Sequence, residues 1–442
     1  MNVTVQGESH RLLTGSPYVA YSYAYPHKTA YRSLPRPLPL REVWQTEAQD
    51  ALFLYLHVPF CEYRCGFCNL FTLSQPKAPL TQRYLDAVRS EATTIANTLD
   101  KARYVRLALG GGTPTFLSST ELEQLFLIVR DVGGAKPGKI PVSCEASPAT
   151  LDAEKLAILR EYGVDRLSLG IQSFDERDAQ AMGRPLRATD VKRTRELLSE
   201  QRFPVLNLDL IYGGSTQTKA TWLESVDEAI DWTAEEIYLY PLYVRPLTGL
   251  AKGKPWDDHR LALYRAGRDR LLEKGYTQVS MRMFQRRSTL ETGPTYCCQD
   301  DGMVGLGCGA RSYTRSLHYS REYAVRSSNV AGIVSDYLER SKADFTHVKH
   351  GFVLDIDEQQ RRMLIISLLQ ATGLQRTHYK RRFQSDVLED FRQLLGLADC
   401  GMAEINSERI QLTPAGLERS DAIGPWLYSE SVRQLSEGFQ WR

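Results

Sequence analysis

The chain has 442 residues and a formal net charge of +2. It is long enough for two or three domains and too near neutral for the one-sided field that nucleic-acid or membrane-surface binding uses. With 42% hydrophobic and 24% charged residues it has the composition of a soluble globular protein. No apolar run approaches the roughly 18 residues that span a bilayer, the N-terminus has no apolar signal core, and eight cysteines are too few for a secreted disulfide framework. A reducing cytoplasm is expected, with neither nucleic acid nor membrane as partner.

Residues 1–50 read as an irregular leader rich in tyrosine (Tyr18, Tyr21, Tyr23, Tyr25, Tyr31) and then proline (Pro35, Pro37, Pro39). The alternation Tyr21-Ser-Tyr-Ala-Tyr25 predicts a short strand, in a strap packed on the core or a flap over the active site. From 51 to 285, β-rich runs at 52–58, 103–109, 140–146, 166–171, 205–211 and 236–241 alternate with amphipathic patterns at 81–99, 119–130, 152–162, 189–201 and 218–232. Such alternation predicts βαβ units on a parallel sheet. The α/β fold expected is a partial (β/α)6 TIM-type barrel, with its chemistry at the C-terminal strand ends. Residues 286–354 read as a polar connecting segment with a glycine knot at 302–309, contributing to the pocket. From 355 to 442 come helices at 357–371 and 384–397 and a hairpin starting at Met402, a small winged-helix-like domain. It lacks the concentrated basic face of a DNA reader.

The first predicted strand leads directly into Leu54-Tyr-Leu-His-Val-Pro-Phe-Cys61-Glu-Tyr-Arg-Cys65-Gly-Phe-Cys68. The spacing is C-x3-C-x2-C. Three thiolates on one loop can hold three corners of a four-iron cluster, whereas electron-transfer clusters use four cysteines. The fourth iron is then open for chemistry.

Other polar residues also follow strands. Gly110-Gly-Gly-Thr-Pro-Thr115 follows the second, where glycines allow close approach to a ligand and expose N–H donors; alone, such a run is often a tight turn. Glu145 ends the third strand and suits an ammonium or ribose hydroxyls, or equally a helix cap or salt bridge. Gln172 and Ser173 close the fourth, and Arg184 beyond them suits a carboxylate fork. Asp209 lies within an apolar strand, which is costly unless it is partnered, so a polar cavity is expected there. His57 reads as a residue orienting the thiol loop. Cys297, Cys298 and Cys308 do not make a tetrahedral metal set and read as structural or pocket thiols, with Cys144 and Cys400 as core residues.

The cysteine spacing resembles that of the radical S-adenosylmethionine (SAM) enzymes. Tyr55-Leu-His-Val-Pro-Phe-Cys61, Gly110-Gly-Gly-Thr-Pro-Thr, Arg166-Leu-Ser-Leu-Gly-Ile-Gln-Ser-Phe, Asp209-Leu-Ile-Tyr-Gly and Leu412-Thr-Pro-Ala-Gly together resemble its oxygen-independent coproporphyrinogen oxidase-like (HemN-like) family. The resemblance implies a [4Fe-4S] cluster on Cys61, Cys65 and Cys68 whose open iron chelates SAM, and a 5′-deoxyadenosyl radical that takes a hydrogen atom from substrate. It also implies a second SAM, and an electron donor such as flavodoxin or ferredoxin. By position Tyr55, Gly111 and Glu145 match contacts to the first SAM. Phe67, Gly112, Thr113, Gln172, Arg184 and Asp209 match contacts to the second, with Tyr243 and Arg311 near further contact positions. The coproporphyrinogen oxidases proper carry another cysteine two residues after the third, where this chain has Leu70; the family's heme-chaperone branch also lacks it. That departure, the Tyr-rich leader and the segment 295–313 are similar to a specialised subgroup near radical C-methylases and cyclopropane-forming enzymes. The resemblance thus implies transfer of a one-carbon unit to a carbon centre of a small molecule in natural-product biosynthesis. Porphyrinogen decarboxylation or heme delivery are the alternatives.

Overall fold

The computed structural model describes residues 10–99, 101–253, 256–286 and 297–441. The chain forms two compact units: Arg32–Asp258 with Thr289–Val353 and Gln440–Arg442, and Met1–Tyr31 with His259–Ser288 and Leu354–Phe439.

The larger unit begins with β1 (Arg32–Pro39). It continues through β2 (Leu52–Val58), β3 (Tyr104–Gly111), β4 (Val142–Ala146), β5 (Arg166–Gln172), β6 (Val205–Tyr212) and β7 (Glu236–Pro241). Strands β2 to β7 pair in chain order and all parallel. Between them run α1 (Ala78–Thr98), α2 (Ser119–Leu127), α3 (Ala153–Glu161), α4 (Ala188–Glu200) and α5 (Lys219–Asp231). This is the partial barrel expected. Alternate side chains build its walls: Leu54, Leu56, Leu107, Leu109, Leu167, Leu169, Leu208 and Leu210 are 0–1% exposed, each worth about 1.5–3 kcal/mol on burial. Helices α2, α3 and α5 start where side chains satisfy their free N–H groups. Ser118 and Glu121 form a reciprocal capping box for α2, and Thr218 and Thr221 do so for α5.

Residues 303–353 contain more regular structure than a polar connecting segment would. They form β8 (Met303–Leu306), β9 (Arg311–Tyr313), β10 (Leu317–Ser320), α6 (Ser327–Leu338) and β11 (His347–Val353). The sheet order is β1-β11-β10-β9-β8-β2-β3-β4-β5-β6-β7. β8 runs parallel to β2 with Gly305 level with Tyr55. β9, β10, β11 and β1 follow antiparallel. β8 to β10 have three or four residues each, too few to show a two-residue period. In β1 three prolines argue against a strand, but the strand is at the edge and its register slips between Ser33 and Leu38, where a missing N–H costs little.

In the smaller unit Tyr21–Tyr25 forms bends and no strand. Its backbone has no ladder to join, because its side chains are already committed. Tyr25 donates to the Glu358 carboxylate, and the hydroxyls of Ser22 and Tyr428 lie 2.9 Å apart. Arg282 pairs with buried Asp421 and lies 3.7 Å from the Tyr21 ring centroid. Segment 10–31 is thus a strap of this unit. The helix expected at 357–371 is Ile356–Leu368. That expected at 384–397 is instead Arg376–Phe383, Val387–Asp390 and Leu394–Asp399, with Gln384 in the left-handed region (φ 56°) ending the first. The hairpin pairs Ala403–Ile405 with Arg409–Leu412, and Leu374–Gln375 adds a third strand. Among the described residues no helix is long and apolar enough to cross a membrane.

Candidate active site

β2 runs out through Phe60–Cys61, which ladders with Leu73–Ser74, so the thiol loop leaves and returns at one point above the barrel. Cys61, Cys65 and Cys68 are half-buried. Among the described residues no three His, Cys, Asp or Glu side chains converge on a metal-ion site. Each sulfur has its own polar neighbour. Thr113 Oγ1 is 3.7 Å from Cys61 Sγ and Arg184 Nη1 is 3.2 Å from Cys65 Sγ. Cys68 Sγ lies 3.9 Å from Thr72 Oγ1. Burial, then the Cys68 thiolate nearby, pushes the Cys61 thiol up to about 12. Burial and Cys65 push Cys68 up as well. Three bare thiolates would repel one another here, and a bound metal centre would supply the missing positive charge.

The glycine run does not offer free amides. Gly111 N–H donates to Glu145 Oε2 at 3.0 Å, Gly112 to the Val58 carbonyl at 2.7 Å and Thr113 to the Phe60 carbonyl at 2.8 Å. The need for glycine is steric. At Gly112 a Cβ would lie 2.5 Å from the Phe60 carbonyl oxygen and 3.0 Å from Cys61 Sγ. Gly111 has φ +112°, and its Cβ would fall 2.5 Å from the His57 ring. A Cβ at Gly309 would reach the same ring at 2.8 Å, so the imidazole is gripped between two glycines. His57 Nε2 lies 3.0 Å from the Phe71 carbonyl oxygen. That oxygen can only accept, so Nε2 carries the proton and Nδ1 accepts from Tyr55 OH at 3.3 Å. His57 therefore ties the barrel wall to the far arm of the thiol loop.

The Glu145 side chain at the end of β4 is closely surrounded by neighbouring groups yet reaches solvent. Burial, partly offset by the Gly111 amide, pushes its carboxyl up to about 7. A raised carboxyl pKa means that the folded state holds an extra proton between 4.5 and about 7, so this group's stability contribution is lost as pH rises through that window. Melting curves of the iron-free protein should fall more steeply from about pH 5 to about pH 8 than those of Glu145→Gln, which keeps the acceptor for Gly111; superimposable pH profiles would refute this.

Asp209 projects from β6 among Asn207 Nδ2 at 2.9 Å and Ser168 Oγ at 3.5 Å, and burial raises its carboxyl. The polar partners that an aspartate in an apolar strand needs are present. Arg184 is 7% exposed. Besides Cys65 it donates to the Gly170 carbonyl and to Ser147 Oγ at 3.3 Å, so its fork holds a thiol and backbone where a carboxylate was expected. Its Nε is buried with no protein partner among the described residues. Gln172, at the β-bulge opposite β6, has φ +73°, a strained conformation that clusters at functional sites. Phe67 packs on the apolar cluster of Met182, Ile211 and Leu242. Tyr243 lies beyond β7 beneath Arg245, 4.4 Å from ring centroid to guanidinium. Arg311 flanks Gly305 on β9 and so lies level with Tyr55.

Tyr63, Ser147, Ser168 and Asn207 also belong to the site and were not singled out by motif. Asn207 was legible, two residues before Asp209 and therefore on the same strand face. Thr295 and Tyr296 lie outside the described residues. Burial raises Cys298 to about 12, and Cys308 and Cys144 are buried, while Cys400 is half-exposed and so less of a core residue than expected.

A model of the radical SAM superfamily matches residues 55–229 and one of the HemN C-terminal domain matches residues 354–418. The chain is 27% identical to the heme chaperone HemW of Bacillus subtilis over 84% of this chain and 98% of that one. It is 30% identical to the heme chaperone HemW of Mycobacterium tuberculosis over 84% and 93%. It is 27% identical to the oxygen-independent coproporphyrinogen III oxidase of Cereibacter sphaeroides over 84% of each. The solved coproporphyrinogen III oxidase (HemN) from Escherichia coli superposes with a TM-score of 0.78 at 20% identity, covering 95% of this chain and 98% of that one, so the fold is shared. With its thiol loop above a six-stranded lumen, the chain belongs to the HemN-like family of radical SAM enzymes, whose cofactors are a [4Fe-4S] cluster and SAM.

Proposed function

We propose that this enzyme oxidises a tetrapyrrole-class substrate by taking hydrogen from carbon in the barrel lumen. The observation that carries this reading is that 84% of the chain aligns with proteins named coproporphyrinogen III oxidase and heme chaperone. Cys61, Cys65 and Cys68 would hold the cluster, and Tyr55, Gly111 and Glu145 would border the SAM on it. Bound there, the cofactors supply hydrogen abstraction from an unactivated carbon.

The chain's own residues supply the setting. Arg184 and Thr113 offset charge at Cys65 and Cys61. Glu145 presents a carboxylate to the lumen, suited to an ammonium group. Asp209, with Gln172 and the unpartnered Nε of Arg184, forms a second polar station, which we assign to a second SAM with Phe67 beside it. Gly112 and Thr113 are then assigned to the thiol loop, since their amides are already bonded there. Tyr243 and Arg311 would act at the edge of the site.

One-carbon transfer stays as a second reading because Leu70 stands where the coproporphyrinogen oxidases have a further cysteine. The products distinguish the two. Anaerobic turnover with coproporphyrinogen and methyl-deuterated SAM should release carbon dioxide and form no S-adenosylhomocysteine. S-adenosylhomocysteine together with deuterium in 5′-deoxyadenosine would establish one-carbon transfer instead and overturn the decarboxylation reading.

A further inference from the structure

One cavity of the larger unit belongs to none of the motifs. It measures about 300 Å³ and is lined by residues of β9, β10 and β11 together with α1 and α6. Most of that lining falls between the stretches 55–229 and 354–418 that the family models match. A cavity of this size is at the small end of ligand pockets and suits a small metabolite, not a tetrapyrrole macrocycle.

Its cations are Arg321, Arg340 and Lys349, with His347 and His350 beside them. The nearest acids are committed elsewhere. Glu91 on α1 is 5% exposed, and its carboxylate accepts from Arg321 Nη2 at 2.6 Å, Tyr337 OH at 2.8 Å and Gly307 N–H at 2.7 Å. Asp344 accepts from the Ser341 N–H at 3.1 Å and the Ser341 hydroxyl at 2.8 Å. Glu339, next in the chain to Arg340, pairs with Arg83. Glu322 and Asp336, the other acids of the lining, are exposed, where solvent weakens their pull.

Arg340 is the cation left over. Among the described residues its guanidinium makes no ion pair and no side-chain hydrogen bond. It is half-buried, and burial, then the Arg321 charge, lower it from the ordinary guanidinium value. Two like charges that line one cavity repel each other, and a partly buried charge without a partner is costly. An anion held between them relieves both. Arg321 is already in place for this. The ring centroids of Tyr337 and Phe345 lie 5.1 Å and 4.9 Å from its guanidinium, and Glu91 takes only its Nη2.

We propose that this cavity is an oxyanion site, in which Arg340 and the edge of Arg321 that Glu91 leaves open hold the carboxylate or phosphate of a small metabolite. Guanidinium forks match both groups. Lys349, 58% exposed at its side chain and 4.0 Å from Asp344, adds positive charge at the exposed edge. The site is independent of the barrel chemistry and of the substrate proposed above.

Titration calorimetry of the full-length reconstituted protein tests this at matched ionic strength, with inorganic phosphate in one arm and succinate in the other. At least one anion should bind saturably. Arg340→Gln should weaken that binding roughly tenfold or more, the worth of a charged hydrogen bond. The same variant should melt no lower than wild type, because it loses no ion pair. Lys349→Gln should weaken binding less. Saturation by phosphate alone assigns a phosphate-bearing ligand, and saturation by succinate alone a carboxylate-bearing one. No saturable binding of either anion would overturn the proposal, as would binding that Arg340→Gln leaves unchanged. If Arg340→Gln does not fold, Lys349→Gln decides, and wild-type affinity in that variant rules the site out.

Discussion

Anaerobically reconstituted Cys65→Ala protein should form no 5′-deoxyadenosine from SAM. The substitution removes one of three thiolates, so a corner iron has no protein ligand. It also takes an acceptor from a buried donor. Arg184 is 7% exposed and places Nη1 3.2 Å from the Cys65 sulfur. A buried donor left without its partner costs roughly 1–3 kcal/mol, so the empty site is destabilised along with the cluster. Cys144→Ala is the control, because that thiol is buried on a barrel strand and should leave iron uptake intact. Cys65→Ala protein holding about four irons, the content of one cluster, with undiminished 5′-deoxyadenosine formation would contradict the assignment.

Gly111→Ala should cause a large loss of folding stability. Gly111 has φ +112°, and its Cβ would lie 2.5–2.7 Å from three atoms of the His57 ring. Backbone strain of this kind costs of order 1–3 kcal/mol and overpacking typically another 1–3 kcal/mol. Together that is a large part of an ordinary domain's stability. His57 cannot move aside, because Gly309 packs on it too and its Nε2 is bonded to the Phe71 carbonyl. Gly134→Ala isolates the strain: its φ is +74° and nothing lies within 4 Å of the added atom. Denaturant midpoints should rank wild type, then Gly134→Ala, then Gly111→Ala well below. Equal losses in the two variants would show that the His57 contact carries no weight.

Local chemistry by itself determined the barrel and the thiol loop. Leu52–Val58 and Glu236–Pro241 occur where the apolar runs placed them, because the buried wall residues are apolar and helices such as α2 and α5 carry their own caps. Asp209 in an apolar run implied a polar lumen, since an aspartate cannot be buried there alone. The tertiary structure decided what depends on distant partners. β8 to β10 are too short to be legible and become strands only by pairing with β2 and with each other. The amides of Gly111, Gly112 and Thr113 looked available until Glu145, Val58 and Phe60 proved to hold them. The contact of Arg184 with Cys65, 119 residues away in sequence, was set only by the fold. Tyr323 could not be read as a contact of the thiol loop until folding placed its hydroxyl on the Asn69 carbonyl. Periodicity reports which face of an element is buried. It carries no information about which polar atom from another part of the chain will meet that face, and in this protein those meetings set the environment of the cluster.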